Sequence, residues 1–267
     1  MTENLSARNC PNCKSTVATV LEEYSYNEWN VAACDSCSML YLKNPPTYKD
    51  LEKTFGWETT FREEDSRRAK KRGPIKHLAR AIRELNYSLR SDDNVRYRRI
   101  LGSGRILDVG CGDTVRWKPP FIPFGIEISK ALALSANKKM HPLGGECRQG
   151  SGAETIWEFE KNYFDNIMMH SYLEHEINVS KILNGAYQCL KPGGKIFVRV
   201  PNFNSLNRRI SKSNWPGMRH PDHVNYFTVR TLRSVANNAG FNFKLHNKHK
   251  IWVDDNIQAL FIKPIKN

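Results

Sequence analysis

The chain has no apolar run long enough to cross a membrane and no apolar segment among its first ten residues, MTENLSARNC. Those absences point away from a helical membrane protein and lead to the expectation of a cytoplasmic location. Cysteine is sparse and odd in number, seven in 267 residues. That count does not build a disulfide framework in a chain of this size. There is no internal repeat and no low-complexity tract, which excludes a solenoid or an array. After the stretch ILDVGCGDT (Ile106–Thr114) no third glycine completes Gly-x-Gly-x-x-Gly, and no Gly-Lys-Ser/Thr follows. A P-loop is therefore excluded, and a pyrophosphate cradle is disfavoured because Asp113 would place an acid against it.

Acidic charge is also scarce in two zones. Lys and Arg outnumber Asp and Glu by 14 to 6 across 62–105 and by 11 to 3 across 203–267. The two zones together hold more than the whole surplus of +14. Such zones suit an anionic partner, whether a nucleic acid, a phosphorylated or nucleotide-linked small molecule, or a membrane surface; a solvated basic face with no partner is the plain alternative.

What is present begins with two knuckles, CPNC at Cys10–Cys13 and CDSC at Cys34–Cys37. A tetrahedral zinc ion needs four soft ligands converging on one point, and each Cys-x-x-Cys turn supplies two. Cys10, Cys13, Cys34 and Cys37 are thus expected to form a closed structural zinc site in a ribbon over residues 1–45. Pro45 and Pro46 mark its end. A basic helical segment over 46–102 follows. In GPIKHLARAIRELNYSLR, Ile75, Leu78, Ile82, Leu85 and Leu89 share one helical face opposite Lys76, Arg80, Arg83 and Arg90. SDDNVRYRRIL restarts a helix with Ser91 or Asp92 as cap. From 103 to 267 strands and helices alternate: RILDVG, FGIEIS, FDNIMMH and KIFVRVP as strands, SKALALSANKK and NVSKILNGAYQCL as helices, then TVRTLRSVANNAG between Thr228 and Gly240. FNFKLHN and IQALFIK close as a strand pair. This order predicts an α/β fold with a mostly parallel sheet covered on both faces.

A strand that ends in an acid followed by glycines lets backbone approach a ligand at the carboxyl edge of a sheet. The residues that follow give the pattern its meaning. ILDVGCGDT resembles the first motif of the class I S-adenosylmethionine-dependent methyltransferases. FGIEIS is similar to that family's second strand, GSGAETI to its adenine-side loop, YFDNIMMHSYLEH to its fourth strand and LKPGGKIFVRVPN to the turn before its fifth. HPDHVNYFTVRTLRSVANNAGF extends the resemblance to a subgroup that modifies sugars and other small molecules, and the cysteine ribbon with its CSMLYLKNPP exit resembles members of that subgroup. NPPT at 44–47 is similar to an amino-group methyltransferase motif, but it precedes the glycine turn and ends in Thr47, so it is set aside.

The resemblance implies a Rossmann-like, seven-stranded sheet and S-adenosyl-L-methionine as cofactor. It implies that Asp108 holds the methionine end, that Gly110, Cys111 and Gly112 bring backbone onto the cofactor, and that Glu127, with Ile128 beside it, binds the ribose hydroxyls. Gly152, Ala153 and Glu154 would flank the adenine, and His170 would line the methionyl side. Two departures stand out: Thr114 replaces the third glycine, and Ser151–Gly152 stands where the adenine loop usually offers an acid.

For a hydroxyl acceptor, the proton has to leave as the methyl arrives, and a histidine suits that task at neutral pH. His175, ending YLEH, and His223, in HPDHVNYF beside His220 and Asp222, are the candidate catalytic bases. The expected acceptor is a small anionic molecule or glycan, such as a sugar, nucleotide-sugar or lipid-linked saccharide. Arg80, Arg83, Arg96, Arg98 and Arg99 would recognise phosphate from a lid. An RNA methyltransferase and a non-catalytic methyltransferase-like scaffold are the rival readings. The oligomeric state is not legible.

Overall fold

A computed structural model of the protein describes residues 7–47 and 93–265. Residues 1–46 and 103–267 form one compact unit and 47–102 a second. Of the second unit, α1 (Asp93–Leu101) is described, with Arg98 and Arg99 in its last turn. The segment with Arg80, Arg83 and the Ile75–Leu89 face lies outside the described residues.

The first unit opens with three short strands, β1 (Ala18–Val20), β2 (Val31–Cys34) and β3 (Leu40–Leu42). Strands and helices then alternate through β4 (Gly104–Val109), β5 (Phe121–Glu127), α2 (Lys130–Met140), β6 (Cys147–Gln149), α3 (Gly152–Thr155), β7 (Phe164–His170), α4 (Val179–Cys189) and β8 (Leu190–Pro201). The chain ends with α5 (Leu206–Ser211), β9 (Asn225–Tyr226), α6 (Val229–Asn238), β10 (Asn242–Leu245) and β11 (Asn256–Ile262).

The large sheet has seven strands in the order β10-β11-β8-β7-β4-β5-β6. β4 through β8 pair in parallel, and β11 enters antiparallel beside β8 and β10. The central parallel strands β4, β5 and β7 are buried over most of their length, as a sheet covered by helices on both faces requires, while the edge strand β6 is not. α4 shows why the sequence folds so. Val179, Ile182, Leu183, Ala186 and Cys189 recur at three- and four-residue steps and are all buried. Ser129 caps α2 by accepting from Leu132 N, and Thr228 caps α6 in a reciprocal capping box with Thr231. Gly240, at φ +85°, ends α6 as the sequence indicates.

Two features differ from the sequence reading. LKPGG does not merely end α4. β8 already starts at Leu190 and carries the glycines as a bulge: Phe164 pairs with Leu190 but Asn166 with Lys195. Gly193, at φ +77°, donates to Lys263 O, and Gly194 O accepts from Lys263 N, so β11 pairs with the bulge. The ribbon, in turn, is not a free-standing module. Its sheet runs β1-β2-β3-β9, and β9 comes from the second half of the chain. Cys10, Cys34, Met39 and Tyr41 belong to the same apolar core as Leu107, Ile167, Val198 and Phe227.

Phe164 anchors that core, edge-on to Phe124, Phe159 and Tyr163 at centroid distances of 4.9–5.4 Å. Phe164→Ala is expected to destabilise the fold by about 3–5 kcal/mol. Urea unfolding checks this, the midpoint falling with an unchanged slope.

Candidate active site

The carboxyl edge of the sheet gathers the expected cofactor residues. β4 ends at a turn in which Gly110 and Gly112 take φ of +71° and +60°. Gly110 N and Cys111 N both donate to Ile126 O, which ties the turn to the end of β5. A Cβ at Gly110 would stand 3.0 Å from the Tyr172 ring, and one at Gly152 would stand 2.9 Å from Val109 and against the Tyr172 hydroxyl. Both positions therefore need glycine for close approach, and Gly110 for its backbone conformation as well. Thr114 is not among the residues at positive φ, so the missing third glycine costs the turn nothing.

Glu127, 8% exposed, accepts from Gly112 N through Oε2 and from Ser129 N through Oε1, both at 2.9 Å. An ionised carboxylate offers about four acceptor sites, so each oxygen keeps capacity for a further donor. Asp108 is buried, and burial raises its pKa, while Arg116 at 3.2 Å and the Trp117 indole N–H at 3.2 Å favour its charged form. Arg116 and Trp117 carried no motif and were missed; a basic-aromatic pair soon after the glycine turn was the available signal. Gly152 and Ala153 are buried on α3. Glu154 on the same helix is exposed and paired to Lys181 of α4, apart from its two neighbours. Cys111 is buried and turns its sulfur to Cys147, 3.6 Å away, under α2. Ile128 is half-buried and its carbonyl accepts from Gln149. His170 is half-buried at the end of β7.

The loop leaving β7 joins two halves of the site. Tyr172 packs on Gly110 and Gly152 and donates to Glu176. Three residues on, His175 meets His223, the two rings edge-on at 4.8 Å. The structure thus brings together two histidines distant in sequence. His175 Nδ1 faces only acceptors, Asp222 Oδ1 at 2.8 Å and Asp222 O at 2.9 Å, so it carries a proton. Arg219 holds the other Asp222 oxygen at 2.6 Å. Burial lowers the His175 pKa, but the Asp222 carboxylate outweighs it and raises the ring to about 9. His223, 5% exposed, is different. Burial and the adjacent His175 cation push its pKa well below the usual value. Its Nδ1 lies 2.9 Å from Gly217 O, so the neutral ring bears its proton there and Nε2 keeps a lone pair. Glu174, His175 and His223 each bring a potential ligand atom within 4.8 Å of the others. His220 is also buried enough to lower its pKa and contacts Tyr226.

The second cluster lies in the ribbon. Cys10 Sγ and Cys37 Sγ are 3.6 Å apart and Cys13 Sγ and Cys34 Sγ 3.4 Å, with all four within 4.8 Å. A disulfide would bring sulfurs to about 2.05 Å; a zinc tetrahedron with bonds near 2.3 Å has edges of about 3.8 Å. Backbone N–H groups point at the sulfurs: Cys13 and Asn12 at Cys10, Ser15 at Cys13, Cys37 and Ser36 at Cys34. Burial raises the Cys34 thiol, but these donors and the Cys13 thiol bring it down to about 7. The donor set fits a zinc ion.

A seven-stranded sheet with this order, a glycine turn after its first parallel strand and a buried acid at the end of the next define a class I methyltransferase. A profile of the methyltransferase-domain family matches residues 75–246. That span is more than half of the chain, which therefore belongs to this family and is an S-adenosylmethionine-dependent methyltransferase. The ribbon lies outside the matched span. An uncharacterised protein of Methanocaldococcus jannaschii is 26% identical over 145 residues, 54% of this chain and 67% of its own length. An S-adenosylmethionine-dependent methyltransferase from Archaeoglobus fulgidus shares the fold with a TM-score of 0.50 at 17% identity, over 64% of this chain and 92% of that one. A phosphoethanolamine N-methyltransferase from Haemonchus contortus, solved with S-adenosyl-L-methionine, gives a TM-score of 0.48 at 16% identity, over 64% of this chain and 52% of that one.

The histidine pair makes a direct prediction. Nitrogen-detected NMR of the imidazole rings should show one histidine titrating near pH 9 and one neutral to well below pH 6.5. Asp222→Asn removes the anion that holds the His175 proton, so the high titration should fall to the ordinary range or below. A raised folded-state pKa gives stability that is present in full below about 6.5 and lost as pH rises through about 9. The urea midpoint of the wild type should therefore decline across that window more than that of Asp222→Asn.

Proposed function

We propose that the protein methylates a hydroxyl of a small anionic acceptor, such as a sugar, nucleotide-sugar or glycan, with His223 as the base. One observation carries this reading. The loop after β7 lays Tyr172 on the cofactor turn and, three residues later, sets His175 against His223. These two contacts support reading His223, with a free lone pair, as the base on the acceptor side of the cradle.

S-Adenosyl-L-methionine, when bound, supplies a methyl group on a sulfonium electrophile. Glu127, with capacity left on both oxygens, would accept from the two ribose hydroxyls. Gly110 and Gly112 would let backbone lie against the cofactor, Asp108 would serve the methionine end with His170 beside it, and Gly152 and Ala153 would flank the adenine. Glu154 belongs to its ion pair with Lys181 and takes no part. His223 Nε2 would take the proton that the acceptor hydroxyl loses when the methyl group leaves sulfur for that oxygen. The His175 cation, balanced by Asp222, keeps His223 neutral before the reaction and favours an anionic or oxygen-rich acceptor beside it. Four cysteines hold a structural zinc ion with no position open to substrate.

Calorimetric titration with S-adenosylhomocysteine tests the cradle. Loss of charge-assisted hydrogen bonds of about 1.5–3 kcal/mol predicts that Glu127→Ala weakens binding by roughly 10- to 100-fold. Unchanged affinity in the variant removes Glu127 from the cofactor site. With an acceptor found by screening nucleotide-sugars and glycans, His223→Ala should lower turnover by about 10²–10⁴-fold. Near wild-type turnover sinks the base assignment. Elemental analysis should find about one zinc per chain and much less in Cys34→Ser.

A further inference from the structure

We propose that the cysteine ribbon is the back wall of the acceptor site, and that Arg8 and Asn225 are positioning residues through which the metal-bound ribbon places His175 and His223. This inference rests on the reading of that pair as the acceptor site.

The connections are continuous. β3 pairs antiparallel with β9, Leu40 opposite Tyr226 and Tyr41 opposite Asn225, and Leu42 N donates to Val224 O at 2.9 Å. The strand that completes the ribbon therefore begins two residues after His223. Arg8, two residues before the first cysteine, gathers three segments with one guanidinium. Nε donates to Leu42 O at 2.9 Å, Nη1 to Ile177 O at 3.0 Å, and Nη2 to Val224 O and to Asn225 Oδ1, the latter at 3.1 Å. Ile177 closes the loop that carries His175. Asn225 reaches back to the same loop, its Nδ2 donating at 2.7 Å to both Leu173 O and Glu176 O. Val224 N and Asn225 N donate to Glu174 O. The backbone on either side of His175 is thus pinned from the segment that carries His223, and both are pinned to the ribbon.

The ribbon is fixed from behind as well. Asn12, inside the first knuckle, accepts through Oδ1 from Ser234 and Asn238 of α6, and Pro11 O accepts from Ser180 of α4. The four sulfurs meet where this knuckle faces the second; Ser36 on Ser15 and the pairing of β1 with β2 join the same two regions, and the second knuckle leads into β3. The cofactor residues are held differently. Asp108 and Glu127 take hydrogen bonds from Trp117, Gly112 and Ser129, close by in sequence. Disturbing the ribbon therefore moves the histidine pair and leaves the cradle. Reacting groups displaced by about 1 Å lose roughly 10²-fold in rate.

Arg8→Lys in the full zinc-loaded chain tests this, because a lysine keeps the charge but its single nitrogen does not reproduce the planar fork of Nε, Nη1 and Nη2. Three readouts are taken: zinc content, S-adenosylhomocysteine affinity by calorimetry, and the imidazole titrations. Asp222, Glu174 and Arg219 are the charged groups that set the His175 titration, with the His223 ring packed against it and Arg199 acting on Glu174. The expected result is retained zinc, unchanged affinity, and a His175 titration moved down from about 9 as its alignment with Asp222 loosens. Asn225→Ala, which removes the ties to Leu173 and Glu176 and one Arg8 hydrogen bond while leaving the four cysteines alone, should shift the same resonance. Chelation of the wild-type zinc should reproduce the shift. Titrations identical to wild type in both variants overturn the inference. A fall in cofactor affinity that parallels the shift also overturns it, since the ribbon would then support the whole fold. If the shift occurs but His223→Ala keeps its turnover, the base assignment fails and the positioning stands. Where Arg8→Lys does not fold, Asn225→Ala and chelation decide the outcome alone.

Discussion

The reversal of the chain at Gly110 and Gly112 is the constraint on which the rest of the site depends. The parallel strand before it is buried and ends in a buried acid, so the backbone has to turn sharply over the edge of the sheet. Two left-handed glycines make that turn, and Ile126 O and the Glu127 carboxylate receive its N–H groups. Because Gly110 lacks a Cβ, Tyr172 can lie against it, and the position of Tyr172 fixes where the following loop sets His175. A single close packing contact thus relates the methyl-donor side to the acceptor side.

The electrostatics of the acceptor side follow from pairing rather than from exposure. An isolated buried histidine is driven neutral by desolvation, and His223 behaves so. His175 is also desolvated, yet Asp222 and its Arg219 partner make the cation the favoured form. Two adjacent imidazoles consequently hold opposite protonation states at neutral pH. Each state reinforces the other: the His175 cation opposes protonation of His223, and a neutral His223 adds no repulsion to His175.

Much of this was legible in the sequence where local pattern and tertiary packing agree. FDNIMMH became the strand Phe164–His170 residue for residue, Thr228 caps α6, and the last two strands pair as expected. The motifs that end β4, β5 and β7, with the helix start after β6, meet at the carboxyl edge of the sheet, whereas LKPGG opens β8 at the other end. What was not legible depends on partners remote in the chain. Cys147–Gln149 is three residues long and has no apolar run; it is a strand because β5 lies beside it. Asn225–Tyr226 is a strand only because β3 supplies the ladder. Arg8 looks like any basic residue near a terminus, and Trp117 like any core aromatic, until their acceptors are seen. The meeting of His175 with His223 was likewise invisible, although each was singled out alone.

The pairing of β3 with β9 also orders events during synthesis. Both cysteine knuckles precede the methyltransferase core in the chain, so all four thiols are made before the segment that completes their sheet. The edge of β3 stays unpaired until the segment beyond His223 emerges, and Arg8 bonds to Asn225 across 217 positions. Contacts of such separation form late, after the intervening chain has collapsed. The ribbon, made before β9, is therefore completed only after it, and until then its sheet edge is open to pairing with another chain.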